Sequence, residues 1–391
     1  MIPFEMTMPM VRSASVSEEA LRLIGKLLDQ GKSNLRKSIS HFIGSLNSYC
    51  GNESDESLQS KYTALKLRYN KILDQLDIFA DVLSQRSEHG TGVWLSGLDA
   101  LAEDAMKAGK DFYKAPPLMV YLERGHGAAI RRARTRLPGG DENPVAVIQI
   151  PRERMVGNGI ASSLVHEVGH QCAALLGLTV SLKDEIKKYS ETTGGNRHTW
   201  HCYERWISEI IADFWAIAQL GVSATLGLMS VVSLPGYFQF RINLHDPHPA
   251  PYIRVYLSCR FGKRLFPDPQ WDRLWYLWRS FYPVNKLPRT KQDLLRQSEN
   301  ESDRLIDLIV FHKPPRLNGL RLIDLFDIPQ RQPDHFREVF QSFRDNSGLL
   351  NNMTPILVFA VLGQAKADQR ITSKEENLLL KQQLNRWAMK R

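Results

Sequence analysis

Residues 158–176 read NGIASSLVHEVGHQCAALL, and this stretch decides the fold. Its apolar residues Ile160, Leu164, Val165 and Val168 recur at helical spacing and define a buried face. His166 and His170 stand four apart, so on a helix both imidazoles leave one face and converge on a single point. Glu167 lies one step further round, where its carboxylate can reach a metal-bound water without becoming a ligand. Two histidines and a glutamate in so apolar a helix are costly to bury without a partner, and a metal ion removes that cost. Gly169 is a poor helix former that only close packing or a site justifies.

Working outward, a catalytic zinc needs a third protein ligand and leaves its fourth position to water. The metzincin continuation of Gly and then His is missing, since Ala173 and Leu176 follow the motif. Residues 206–216, WISEIIADFWA, form an apolar helix interrupted by Glu209 and Asp213 at i and i+4. Two acids on one apolar face repel, unless Glu209 binds a cation and Asp213 orients a ligand histidine from behind. His198 and His201 are competing third ligands, in a segment that reads as loop after Gly194-Gly195-Asn196-Arg197. One Zn2+ per chain is the expected cofactor.

The pattern His166-Glu167-Val168-Gly169-His170, followed by Glu209-x-x-x-Asp213-x-x-Ala216, resembles the gluzincin metallopeptidases, above all the class of the CAAX prenyl protease and HtpX. That class also carries a His-Pro dipeptide with an Arg six residues after the His, a spacing matched by His248-Pro249 and Arg254. The resemblance covers three short islands within 160–255. It implies zinc bound by His166, His170 and Glu209, Glu167 as general base, and downstream His or Arg groups near the oxyanion. His245 is an alternative to His248 there, with Asp246 able to hold an imidazole in its charged form. The β-branched and aromatic segments 117–123 and 145–150 predict a small antiparallel sheet beside this helix, and the resemblance implies a zincin-like core in which the strand 145–150 (VAVIQI) offers its edge to an extended peptide. Relatives in that class are anchored by membrane helices. No stretch here reaches the roughly 20 apolar residues such a span needs, so their substrates are not carried over.

Elsewhere the chain reads as α+β and mostly helical. From Leu58 through Tyr62, Leu65, Tyr69, Ile72, Leu76, Phe79 and Leu83 the apolar steps alternate between four and three, the spacing of a coiled-coil seam. Leu21 to Leu46 shows the same period, and the polar run 51–55 supplies a turn, so a helical hairpin is expected. Residues 117–123 (PLMVYLE) read as a further strand, separated from 145–150 by the turn 138–141, and 220–234 as a buried helix. The resulting division is an N-terminal hairpin over 1–88, a metallopeptidase core over 89–285 and a C-terminal helical region over 286–391.

With 43% hydrophobic and 24% charged residues over 391 positions, the composition is that of an ordinary globular protein. The net charge of +9 favours acidic partners, anionic lipid surfaces or nucleic acid by nonspecific attraction. No nucleic-acid motif accompanies it, and specific nucleic-acid binding is not expected. Cys50, Cys172, Cys202 and Cys259 are scattered without a Cys-x-x-Cys pair, which fits a reducing compartment, and 1–16 lacks a charged-then-apolar leader. The expectation is a cytoplasmic zinc metallopeptidase acting on protein or peptide substrates, with the hairpin open to a protein partner. The alternatives are a helical scaffold with a structural zinc, and a zinc hydrolase of a nonpeptide amide or ester.

Overall fold

In the computed structural model the described residues are 16–47, 54–88, 90–125, 127–138, 140–152, 157–192, 196–243 and 246–391. The long amphipathic repeats at the N-terminus form α1 (Glu18–Asn47) and α2 (Asp55–Arg86). Gly31 lies against Ile72, Arg68 bonds Ser38 and Phe42 meets Tyr62, so the two run antiparallel. Ser54 caps α2 by accepting from Ser57 N; the rest of the expected turn, 51–53, lies outside the described residues.

Next come α3 (Thr91–Met106) and the strands β1 (Leu118–Glu123), β2 (Ala129–Arg131) and β3 (Ala146–Pro151). The sheet order is β1-β3-β2, with β3 parallel to β1 and antiparallel to β2. This corrects two expectations. The sheet is mixed rather than antiparallel, because the chain after β2 returns over 132–145 to the end where β1 began, so β3 enters between them. That return is pinned by Asn143, whose Nδ2 donates to the carbonyls of Arg131 and Arg132. Consequently the strand read at 145–150 is central and paired on both sides, and the free edge beside it belongs to β2.

Alternate strand residues serve two cores. Leu118, Val120, Ile148 and Ile150 join the main apolar cluster, while Met119, Val145 and Val147 pack with Ile24, Leu28, Leu76 and Phe79 of the hairpin base. Between these layers Arg86 and Asp99 form a fully buried bidentate pair at 3.0 Å. Asp99 also accepts from Val120 N and Arg86 donates to Val120 O, so one polar knot ties α2, α3 and β1 together.

The remaining chain is helical: α4 (Gly159–Leu176), α5 (Leu178–Thr192), α6 (Arg197–Leu220), α7 (Val222–Val232), α8 (Gly236–Gln239), α9 (Pro251–Leu265), α10 (Gln270–Phe281), α11 (Arg289–Val310), α12 (Pro333–Asp345), α13 (Pro355–Ala367) and α14 (Ser373–Lys390). The chain is thus α+β and mostly helical, with one small three-stranded sheet. The main cluster extends without interruption from Leu95 to Trp387, so the residues after 286 share it. Among the described residues no helix is long and apolar enough to cross a membrane.

Candidate metal centre

Helix α4 starts after Gly157, whose φ of +59° favours glycine, and stops at Gly177, a left-handed residue whose N–H caps the last turn. Its HEVGH face is set by close contact with α6. A Cβ on Gly169 would come within 2.9 Å of Trp215 Cβ and 3.0 Å of Ala212 Cα, so the glycine lets two helices approach at the level of the histidines. A second close approach, Gly227 of α7 against Ser162, fixes the turn before them.

This packing brings the ends of three side chains together. Nε2 of His166 and Nε2 of His170 each lie 3.3 Å from a different oxygen of Glu209. One ligand atom from each of these residues lies within 4.8 Å of the others. Both rings turn the same nitrogen inward, at 88° to each other. Behind them, Asp213 Oδ1 is 2.8 Å from His166 Nδ1, which fixes the ring with Nε2 toward the cluster. Arg254 from α9 donates Nε and Nη2 to Asp213 at 2.6 and 2.8 Å, and its Nη2 stands 3.3 Å from both nitrogens of His166. The guanidinium therefore holds Asp213 and faces the imidazole ring.

Charges follow this geometry. Burial disfavours the imidazolium of His166, but the adjacent Asp213 outweighs it and raises the pKa to about 9. Burial likewise opposes ionisation of Asp213, yet Arg254 and His166 hold its pKa down at about 2. Despite burial, the hydrogen bonds from His166 and His170 keep Glu209 far below the ordinary carboxylate range. Glu167 differs. Burial pushes its pKa up, and among the described residues no hydrogen bond engages its carboxylate.

These groups line a cleft of about 520 Å³. Glu167, Asp213, His248 and Arg254 share it with the three converging residues, and Gly127–Ile130 at the free edge of β2 form one wall. Ile217, Leu228 and Val231 add apolar lining to the same cleft. His248 is half-exposed, with Nδ1 held 2.7 Å from Asp246 and Nε2 3.6 Å from Glu209. His245 lies outside the described residues.

His198 and His201 are not in a loop: Asn196 caps α6 by accepting from Thr199 N, and both histidines ride its exposed first turns. His201 faces Glu204 at 3.8 Å. Eight residues of helix, about 12 Å, separate it from Glu209, so it cannot share a centre with it. Ser208, whose Oγ is 3.4 Å from His170 Nδ1, carries no sequence signal, since no spacing rule marks a serine on a neighbouring helix. Strand β2 carries none either, three residues being too short for a pattern. Comparison with protein-family models, curated proteins and solved structures finds no match to this chain.

Proposed function

We propose that the chain is a zinc-dependent metallopeptidase with a zincin-like core, in which His166, His170 and Glu209 hold one Zn2+ and Glu167 is the general base. The observation that carries this reading is a division among four neighbouring polar groups: three converge on one point, while the fourth, Glu167, borders the same cleft unengaged. The donor set suits zinc, two imidazoles and a carboxylate with their inner nitrogens oriented from behind. Bound there, zinc would act as a Lewis acid on a carbonyl and lower the pKa of water toward neutrality.

The protein's own groups do the rest. Glu167 takes a proton from water and returns it to the leaving amine, a role served by a carboxylate whose pKa burial has raised. His248, steadied through Nδ1 by Asp246, presents Nε2 on the side where the oxyanion forms. Arg254 and Asp213 keep His166 in one tautomer and one orientation. The edge of β2 supplies backbone groups along the cleft, so an extended peptide fits as an added strand. A purely structural zinc would close its coordination with protein and leave Glu167 and the open cleft without a use.

Zinc per chain, measured by elemental mass spectrometry at matched circular dichroism, tests the ligand set. Wild type should carry about one ion and Glu209→Ala essentially none. Retention of zinc by Glu209→Ala would remove the assignment.

A further inference from the structure

The charge of +9 is not spread evenly over the folded surface. Residues 273–291, RLWYLWRSFYPVNKLPRTK, carry Arg273, Arg279, Lys286, Arg289 and Lys291, with no carboxylate between Asp272 and Asp293. Asp272 is itself engaged by Lys263 at 2.7 Å. All five cations are exposed; Arg279 lies over the Trp275 ring at 5.9 Å with its charge acting on the Glu299 carboxylate, while among the described residues Arg273, Lys286, Arg289 and Lys291 form no ion pair. Two occupy the first turn of α11, which has no acidic residue there and no side-chain cap. Cations at an uncapped helix N-terminus oppose the helix dipole, and that arrangement is relieved by an anion.

The same surface is apolar as well as basic. Helix α10 buries Trp271 and Trp278 in the core and turns Tyr276 and Phe281 outward at 77% and 64% exposure, with Leu277 between them. Across α9, Tyr252 meets Phe240 at 5.2 Å on one side and the edge of Trp275 at 5.1 Å on the other, so α9 lies between the α8 corner and α10. The α8 corner exposes Leu234, Tyr237 and Phe238 and is held in shape by the buried Gln239, whose Nε2 donates to Leu234 O at 3.1 Å. Exposed aromatic and aliphatic side chains in one segment with exposed cations are the chemistry of a protein that sits on an anionic bilayer, rings at headgroup depth and cations on the phosphates.

We infer that the α10 face, from Arg273 to Lys291, docks on an anionic lipid surface. Helix α10 then lies in the plane of the interface and Leu277 and Phe281 enter the acyl boundary. Nucleic acid would use the cations but gains little from an exposed leucine, because base recognition relies on flat ring faces. The inference does not depend on the zinc reading.

Cosedimentation of the full chain with phosphatidylserine-containing vesicles, against pure phosphatidylcholine vesicles, tests it. Partition should favour the anionic vesicles by about tenfold or more and weaken with salt. Arg289→Gln and Lys291→Gln should each lower it by about fivefold. Leu277→Ser with Phe281→Ser should lower it in high salt too, where charge is screened. Arg36→Gln with Lys37→Gln, which removes twice the charge of either face variant but from α1, should leave it unchanged. Equal partition into both vesicle types overturns the inference. So does an α1 control that falls as far as the face variants, or a single-stranded oligonucleotide that competes the vesicles away.

Discussion

At the scale of single residues, one carboxylate in the cleft is held and another is left unengaged. Glu209 is fixed between two imidazoles, while Glu167, buried and without a hydrogen bond among the described residues, can exchange a proton. On the proposed zinc reading, Glu167→Gln should retain the metal and lose peptide cleavage by roughly 10²–10⁴-fold, read by turnover of a peptide library beside metal content. Asp213→Asn leaves His166, His170 and Glu209 in place but weakens the hold on His166 Nδ1 and leaves Arg254 only Glu209, at 3.8 Å, as a counterion. Zinc affinity should fall by about 10–100-fold in a chelator competition; an unchanged affinity would show that Asp213 does not orient the ligand. The i, i+4 histidines and the Glu209/Asp213 pair were legible in the sequence because helical spacing alone puts each pair on one face. Ser208 and the guanidinium–imidazole contact were not, because they arise from side chains on separate helices.

Among elements, the site exists because α4 and α6 touch at Gly169. Alanine is normally the better helix residue by about 1 kcal/mol. Here its methyl would meet Trp215 Cβ and the Ala212 backbone, neither of which can swing aside. Gly169→Ala should instead destabilise by about 1–3 kcal/mol in chemical denaturation and loosen zinc binding at the same time. A stabilised variant would show that the two helices have room to part. The Arg86–Asp99 knot is the second device at this scale. Asp99→Asn leaves a buried guanidinium without its counterion, and a loss of about 3–5 kcal/mol is expected, measured as a shift in denaturation midpoint. Strand β3 was legible as a strand but not as the central one. Its near-continuous burial fits a central strand, yet which neighbours flank it depends on where the loop 132–145 returns.

Across the whole molecule, one apolar core ties α3 to α14 through a close contact in which a Cβ on Gly97 would strike the Leu384 backbone. His312 lies between the end of α11 and Ser181 of α5, with Nε2 2.8 Å from the hydroxyl. Burial lowers its pKa, only partly opposed by Glu185. The fold thus holds the neutral ring, and the unfolded chain takes up a proton near pH 6.5. Its contribution to stability is complete above that pH and is lost as the pH falls through the lower folded value. Thermal unfolding followed from about pH 7.5 to 5 should therefore show a decline that His312→Gln lacks; parallel profiles would count against the buried neutral imidazole. Local periodicity in the sequence was enough for the N-terminal hairpin, α4, the body of α6 and which of their residues share a face, but not for α5, nor for the first turns of α6, which read as loop. Only the tertiary structure decided that His166, His170 and Glu209 meet, that His198 and His201 stay apart from them, and that β2 rather than β3 borders the cleft. Those outcomes rest on contacts between segments far apart in the chain, where packing against glycine and the path of a loop set the distances and no local pattern records them.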